Sequence, residues 1–192
     1  MSLRLLPNAL TLFRMLAAGP IVYWLLTGHN TAALVLAVFA GISDLLDGYI
    51  ARRFGWMTHF GGVLDPLTDK LLLVSTTLTL AWLAYLPWWL VLLVVLRDVV
   101  IVCGGLYYHN FITPIINSHP TMLSKCNTLL QIVLIVAVML GLVFTQTVGP
   151  WSQWLIYTVA LTTVASGVQY VVIWSIKARR HHQHGTGIAR PR

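Results

Sequence analysis

The sequence predicts an all-α integral membrane protein, a bundle of six transmembrane helices with both termini in the cytoplasm. Three observations predict this fold class. Of the 192 residues, 58% are hydrophobic and 9% are charged, whereas an average soluble domain is about 25% charged. Apolar stretches long enough to cross a bilayer recur along the chain, and Lys and Arg collect on alternate connections between them. This composition excludes a water-soluble globule, a disordered chain and a disulfide scaffold.

The six spans follow from the length of apolar sequence that a membrane helix needs, about 20 residues. The first span contains Arg14 and Pro20, and the turns between spans carry Gly, Pro, Asn and His. The predicted spans are residues 10–27, 31–52, 62–85, 87–108, 121–145 and 151–176. These spans occupy most of the chain, so we expect one membrane domain over residues 1–180 and a basic, His-containing flexible tail over residues 181–192.

The distribution of Lys and Arg predicts the orientation of the bundle. The connections at residues 28–30, 86–88 and 146–150 contain neither residue type, whereas Arg52, Arg53 and the tail lie on the other side. We therefore expect a multi-pass protein of a bacterial inner membrane, with the bare connections outside. The net charge of +7 fits this topology and an attraction to anionic membrane lipids. No nucleic-acid partner is expected, because the basic residues flank membrane spans.

The acidic residues are few and grouped. All five are Asp, and four of them lie at the end of the second span and the start of the third: Asp44, Asp47, Asp65 and Asp69. Residues three or four apart share one face of a helix. The connection at residues 53–60 lets the two helices run antiparallel. All four carboxylates can then converge at one depth, just inside the cytoplasmic face.

Four ionised carboxylates at one place need a counter-charge. Clustered carboxylate oxygens without nearby His or Cys suit Mg²⁺, Mn²⁺ or Ca²⁺, and four Asp can hold two such ions, which would orient a diphosphate. Gly48 lets a ligand group approach the helix backbone, and Arg52 can clamp phosphate oxygens. The alternative is that the carboxylates form salt bridges with Arg52, Arg53 and Lys70 that join the helices.

The segment from Asp44 to Asp69 resembles a known family. It has every fixed residue of the CDP-alcohol phosphatidyltransferase motif, D-x2-D-G-x2-A-R-x8-G-x3-D-x3-D. The resemblance implies a six-helix membrane enzyme, commonly a homodimer, that uses an alcohol to displace CMP from a CDP-linked lipid. It implies Mg²⁺ or Mn²⁺ bound by the four Asp, with Asp69 also acting as general base for the acceptor hydroxyl. It assigns CDP-lipid binding to Asn8, Thr11, Gly48, Arg52, Thr58 and Gly61.

Other segments of the same resemblance narrow the acceptor alcohol. Arg97-Asp98 and the sequence around Lys125 are similar to the branch that holds cardiolipin synthases and phosphatidylglycerophosphate synthases, and look closer to the cardiolipin type. The resemblance implies transfer from CDP-diacylglycerol to phosphatidylglycerol, giving cardiolipin and CMP. The alternative acceptor is glycerol 3-phosphate, which gives phosphatidylglycerophosphate. A small ion or proton transporter is a remote alternative.

Both acceptors carry phosphate, and we expect Arg14, Arg97 and Lys125 to line a pocket for it. Arg97 lies about 15 Å from the outer end of its span, a depth at which a cation needs a partner or water. The alternative is an ion pair between Asp98 and one of these cations, although Asp98 leaves the helix about 100° from Arg97. We expect the two cysteines, Cys103 and Cys126, to be buried packing residues.

Overall fold

The computed structural model describes residues 6–54, 61–111, 121–144 and 149–185, and the regular structure within these ranges is entirely helical. The helices are α1 (Leu6–Leu26), α2 (Asn30–Phe54), α3 (Gly61–Trp82), α4 (Trp88–Phe111), α5 (Met122–Phe144) and α6 (Trp151–Gly185). Each overlaps most of one predicted span. The all-α fold class is therefore confirmed.

The helix α6 is longer than the sixth predicted span. It has 35 residues and continues to Gly185, because the sequence after Gly167 contains neither Gly nor Pro until that position. The first five residues of the predicted tail, 181–185, are thus part of α6. Residues 186–192 lie outside the described part of the chain.

Two helices in the described part of the chain meet a length and hydropathy criterion for crossing a membrane. They are Met122–Phe144 and Trp151–Ile173, with mean hydropathies of 2.4 and 1.6. Shorter apolar stretches occur at Leu12–Leu26 and Asn30–Ser43. Large apolar side chains cover the outer helix surfaces, among them Leu16, Leu96 and Trp154. So much exposed apolar surface is what a protein surrounded by lipid presents.

The chain divides into two compact units. The first unit comprises Met1–Trp88 with Ile132–Ser152, and the second comprises Trp89–Gln131 with Gln153–Arg192. The helix α5 contributes its second half to the first unit and its first half to the second. The prediction of a single membrane domain over residues 1–180 stays a prediction.

In the first unit, α1 packs against both α2 and α3. Small side chains line the buried faces of α1 and α2, including Ala17, Ala18, Ala33 and Ala40. Small residues let helix backbones approach closely, which is how helices pack where lipid removes most of the hydrophobic driving force. This packing brings α1 alongside the helix that carries Asp65 and Asp69.

In the second unit, the buried residues are partly polar. The apolar core residues include Leu90, Val94 and Val159, whereas the buried polar ones include Arg97, Asn127, Thr163 and Ser166. The prediction that Cys103 and Cys126 are buried is wrong, because both are exposed. Each lies on an outward face of its helix. Cys126 directly precedes the fully buried Asn127, and adjacent residues on a helix point about 100° apart.

The turns after α1 and α3 share one hydrogen-bonding pattern. After α1, the N–H of His29 donates to the carbonyl of Trp24 at 2.8 Å, and Gly28 has a φ of 80°. After α3, the N–H of Tyr85 donates to the carbonyl of Leu80 at 2.9 Å, and Ala84 has a φ of 61°. Both turns are Schellman caps, which normally have Gly at the left-handed position. Ala84 therefore stores backbone strain that Gly28 avoids.

We expect the Ala84→Gly variant to be more stable than the parent protein, by about 1 kcal/mol in the free energy of unfolding. Thermal unfolding of the purified protein in detergent micelles measures the change. The matched control is Gly28→Ala, where a new Cβ has nothing within 4 Å, so only backbone strain is added. We expect it to lower the melting temperature. A lower melting temperature for Ala84→Gly would contradict the strain at Ala84.

Candidate functional site

The four motif carboxylates lie on two consecutive helices, as the sequence predicts. Asp44 and Asp47 belong to α2, and Asp65 and Asp69 belong to α3. Each pair is therefore one helical turn apart along its helix.

Side-chain detail is described for Asp69 alone of the four. The side chains at positions 44, 47 and 65 lie outside the described part. The same holds for the side-chain surroundings at the predicted CDP-lipid-binding positions, whose backbone is helical: Asn8, Thr11, Gly48, Arg52 and Gly61. Thr58 lies wholly outside the described residues.

Asp69 is held by an arginine from another helix. Arg14 of α1 donates through Nη1 to the Oδ1 atom of Asp69, which forms an ion pair between α1 and α3. The side chain of Arg14 is 2% exposed, whereas that of Asp69 is 39% exposed. The cation is thus buried and the carboxylate remains accessible. The pair fixes the position of Asp69 and leaves part of its surface open to a ligand.

This ion pair differs from the salt bridges considered for the sequence. Those bridges joined the motif carboxylates to Arg52, Arg53 or Lys70, close in sequence. The partner found for Asp69 is Arg14, which is 55 residues away. Arg14 was predicted to bind the acceptor alcohol. The structure places it in the first unit, whereas the other two predicted acceptor residues, Arg97 and Lys125, are in the second.

The donor chemistry at the motif fits a divalent cation. The motif supplies only carboxylates, and hard ions such as Mg²⁺ and Mn²⁺ prefer oxygen ligands. Asp69 meets one requirement of such a ligand, since its carboxylate is oriented by a hydrogen bond from Arg14 and is still accessible. Within the described residues no group of three or more His, Cys, Asp or Glu comes together. Three of the four motif carboxylates are outside that set.

The second unit contains a buried arginine with three hydrogen-bond acceptors. Arg97 of α4 donates through Nη1 to Asp98 at 2.7 Å, and through Nη2 to Ser124 of α5 at 2.5 Å and Ser166 of α6 at 2.8 Å. Arg97 is 8% exposed. Adjacent residues point about 100° apart on a helix, but the long arginine side chain turns back far enough to reach Asp98. The ion pair between Arg97 and Asp98, one of the alternatives for the sequence, is therefore present.

These contacts explain how a cation in the middle of α4 finds polar surroundings. Arg97 lies nine residues after the start of α4, whereas its partner Ser124 lies only two residues after the start of α5. The N-terminal turn of α5 thus packs beside the middle of α4. Thr121 caps this turn, accepting a hydrogen bond from the N–H of Ser124 at 3.2 Å.

Lys125 is not part of this cluster. It follows Ser124 on α5 and is exposed, so its side chain leaves the helix about 100° away from the serine that contacts Arg97. The structure therefore does not bring the two predicted acceptor cations of the second unit together. Their common role in binding an acceptor stays a prediction.

A second buried polar group in this unit was not predicted from the sequence. The side-chain Oδ1 of Asn127 accepts hydrogen bonds from Thr162 at 2.8 Å and Thr163 at 2.9 Å. Asn127 and Thr163 are both 0% exposed. A signal was available, because Asn127 is a side-chain amide in a predominantly apolar span, and intramembrane polar residues are usually functional or structural. Nothing in the sequence names its partners.

Comparison with known proteins gives a family match over most of the chain. The family described as CDP-alcohol phosphatidyltransferase matches residues 4–166. This range contains the four motif carboxylates, Arg14 and the buried polar residues of the second unit.

Several proteins of known name are similar to the chain. A cardiolipin synthase (CMP-forming) / mitochondrial hydrolase fusion protein of Schizosaccharomyces pombe is 37% identical over 87% of this chain and 30% of its own length. A probable cardiolipin synthase (CMP-forming) of Drosophila melanogaster is 35% identical over 87% of this chain and 56% of its own. A chloroplastic CDP-diacylglycerol–glycerol-3-phosphate 3-phosphatidyltransferase 1 of rice is 33% identical over 91% of this chain and 59% of its own. The chain thus spans between 30% and 59% of the length of these relatives.

We expect the Thr163→Val variant to be destabilised by about 1 kcal/mol, because valine has the same shape but cannot donate to Asn127. Unfolding of the purified protein in micelles measures the change. Thr158→Val on the same helix is the control. Thr158 is exposed, and its hydroxyl donates to the Trp154 carbonyl of its own helix, so this variant should match the parent. Equal stability of both variants would show that the Thr163–Asn127 bond contributes nothing.

Proposed function

The chain belongs to the CDP-alcohol phosphatidyltransferase family, and from that premise we propose that it makes cardiolipin. In the proposed reaction, the phosphatidyl group of CDP-diacylglycerol is transferred to a hydroxyl of phosphatidylglycerol, which yields cardiolipin and CMP. The observation that carries the phosphatidyl transfer is the family match over residues 4–166, which includes the complete carboxylate motif of α2 and α3. The names of the yeast and fly relatives support phosphatidylglycerol as the acceptor.

The second candidate is the same transfer to glycerol 3-phosphate. The specific observation in its favour is the rice relative, whose name specifies that acceptor and whose similarity covers 91% of this chain. Both candidates use the same donor and the same carboxylates, so they differ only in the residues that bind the alcohol. The family and the relatives named above are transferases, which leaves the transporter alternative without support.

The proposed metal ions follow from the family and from the donor set. The family generally depends on divalent metal ions, and we assign two Mg²⁺ or Mn²⁺ to Asp44, Asp47, Asp65 and Asp69. Bound there, the ions would supply counter-charge to the diphosphate of the donor and to the departing CMP. Binding of the CDP-lipid is assigned to Gly48 and Arg52 of α2, with Asn8, Thr11, Thr58 and Gly61.

The protein's own residues then act on the acceptor hydroxyl. Asp69 accepts the hydroxyl proton as the oxygen attacks the phosphorus atom that bears diacylglycerol, and the bond from that phosphorus to CMP breaks. Arg14 is a positioning residue, because its ion pair with Asp69 orients the carboxylate. One direct displacement completes the transfer without a covalent intermediate on the protein.

The membrane arrangement is part of the proposal. The exposed apolar surface and the two long apolar helices show membrane association. We propose that all six helices span the bilayer, with both termini and the motif carboxylates on the cytoplasmic side, and that the protein is a homodimer. The assignment to a bacterial inner membrane is supported by the sequence prediction alone, because the name of the yeast relative refers to mitochondria.

We expect the Asp69→Asn variant to lose CMP release by a factor of about 10² to 10⁴, because the amide cannot accept the proton. The assay follows labelled CDP-diacylglycerol with either phosphatidylglycerol or glycerol 3-phosphate in micelles and identifies the product lipid. Thr77→Val on the same helix is the control, since the Thr77 hydroxyl donates to the Leu73 carbonyl at 2.6 Å. Parental CMP release by Asp69→Asn would refute the proposed base. Phosphatidylglycerophosphate as the product would replace the first candidate acceptor by the second.

Removal of divalent cations should abolish the reaction without unfolding the protein. EDTA is expected to stop CMP release, and Mg²⁺ or Mn²⁺ added in excess should restore it, because the carboxylates need a hard cation. Circular dichroism before and after EDTA is the control for helix content. Full activity in EDTA would contradict a carboxylate-bound metal.

A further inference from the structure

Three buried N–H groups in the second unit have no hydrogen-bond acceptor among the residues that the structure describes. They are Arg97 Nε, Asn127 Nδ2 and Gln131 Nε2. Their side chains are at least nine-tenths buried, with exposures of 8%, 0% and 9%. A buried donor left unsatisfied costs about 1–3 kcal/mol. A bound molecule that supplies acceptor oxygens to these three donors would remove this cost.

The three donors form a row along α5. Arg97 donates a hydrogen bond to Ser124 of α5. Asn127 lies three residues after Ser124, on the same face of α5. Gln131 follows one turn after Asn127. With a rise of 1.5 Å per residue, the row from the level of Ser124 to Gln131 is about 10 Å long.

The neighbouring helix α6 supplies partners for only part of this row. Ser166 contacts Arg97, and Thr163 contacts Asn127. The next residue on that face of α6, one turn before Thr163, is the fully buried Val159. Because valine has no polar side-chain atom, α6 offers Gln131 nothing at this level. The row therefore becomes less polar with distance from the start of α5.

The charge of the row is nearly balanced. The guanidinium of Arg97 is paired with Asp98 at 2.7 Å, and the donors at Asn127 and Gln131 are neutral amides. Such a site suits hydroxyl and ester oxygens or one phosphodiester charge. It does not suit a doubly charged phosphate monoester, which needs more counter-charge when it is buried. A buried acceptor, Gln169 Oε1, is also unpartnered within the described ranges. Gln169 lies three residues after Ser166 on α6, and its oxygen can accept a hydrogen bond from a hydroxyl.

We propose that this row binds the headgroup of the acceptor alcohol as an intact lipid, and that Asn127 and Gln131 determine the preference for a lipid acceptor. The inference rests on the proposed function. The glycerol hydroxyls lie at the end with Arg97 and Gln169, and the ester oxygens near the acyl chains lie at Asn127 and Gln131. Two glycerol units joined by a phosphodiester extend along the row. Glycerol 3-phosphate has one glycerol unit and carries a second phosphate charge.

The test uses the Gln131→Met variant of the full chain, which keeps the length of the side chain and removes its N–H. We expect the KM for phosphatidylglycerol to rise about tenfold, the effect of one lost hydrogen bond of about 1.4 kcal/mol. The kcat and the KM for CDP-diacylglycerol should stay within about twofold of the parental values, a split that a purely structural role of Gln131 would not produce. Gln153→Met, the same change at an exposed position of α6, is the matched control and should leave all three constants unchanged.

A binding measurement separates this inference from the proposed function. Phosphatidylglycerol added to micelles should raise the melting temperature of the parent protein more than phosphatidylcholine does, and Gln131→Met should lose most of that difference. An unchanged KM for phosphatidylglycerol in Gln131→Met would overturn the inference and leave ordered water as the partner of the row. A larger rise in the KM for glycerol 3-phosphate than in the KM for phosphatidylglycerol, measured in the same variant, would overturn the assignment of the row to a lipid acceptor. Failure of the parent protein to release CMP with either acceptor, together with a preserved thermal shift, would refute the function and leave the lipid site standing.

Discussion

Buried polar groups inside an apolar helix bundle need partners from within the protein, and this requirement organises the whole structure. Hydrocarbon offers no hydrogen bonds, so an unpaired charge or amide there is costly. The chain has few charged residues, and the two buried arginines among the described residues are both paired: Arg14 with Asp69, and Arg97 with Asp98. One pair belongs to each of the two compact units.

The two arginines meet the requirement in different ways. Arg14 is buried and its partner Asp69 stays accessible, so the carboxylate of the ion pair can still contact a ligand. Arg97 has its partners Ser124 and Ser166 on two other helices, so it joins three helices of its unit. The first arrangement suits a residue that must take part in chemistry. The second suits a residue that positions the buried polar groups of its unit.

The proposed reaction assigns different tasks to the two units. The first unit contains the carboxylates that all acceptors would share, and the second contains the polar groups that can distinguish one alcohol from another. This division fits the comparisons, in which a relative named as a cardiolipin synthase and one named for glycerol 3-phosphate are both similar over most of the chain. The proposal assigns the donor chemistry to the common motif and the choice of acceptor to a few buried side chains such as Asn127 and Gln131.

The sequence by itself determined the helices and the carboxylate motif, because both depend on local spacing. Apolar runs of membrane-spanning length predicted each helix, and steps of three and four predicted that Asp44 with Asp47 and Asp65 with Asp69 are one turn apart. The tertiary structure alone decided which partner each buried polar group takes. Arg14 and Asp69 are 55 residues apart, and Arg97 and Ser166 are 69 apart. Such pairs depend on which helix faces pack together. The sequence alone does not distinguish the serine or threonine that faces a buried polar group from the others on the same helix. For the same reason the exposure of Cys103 and Cys126 could not be read from their apolar surroundings.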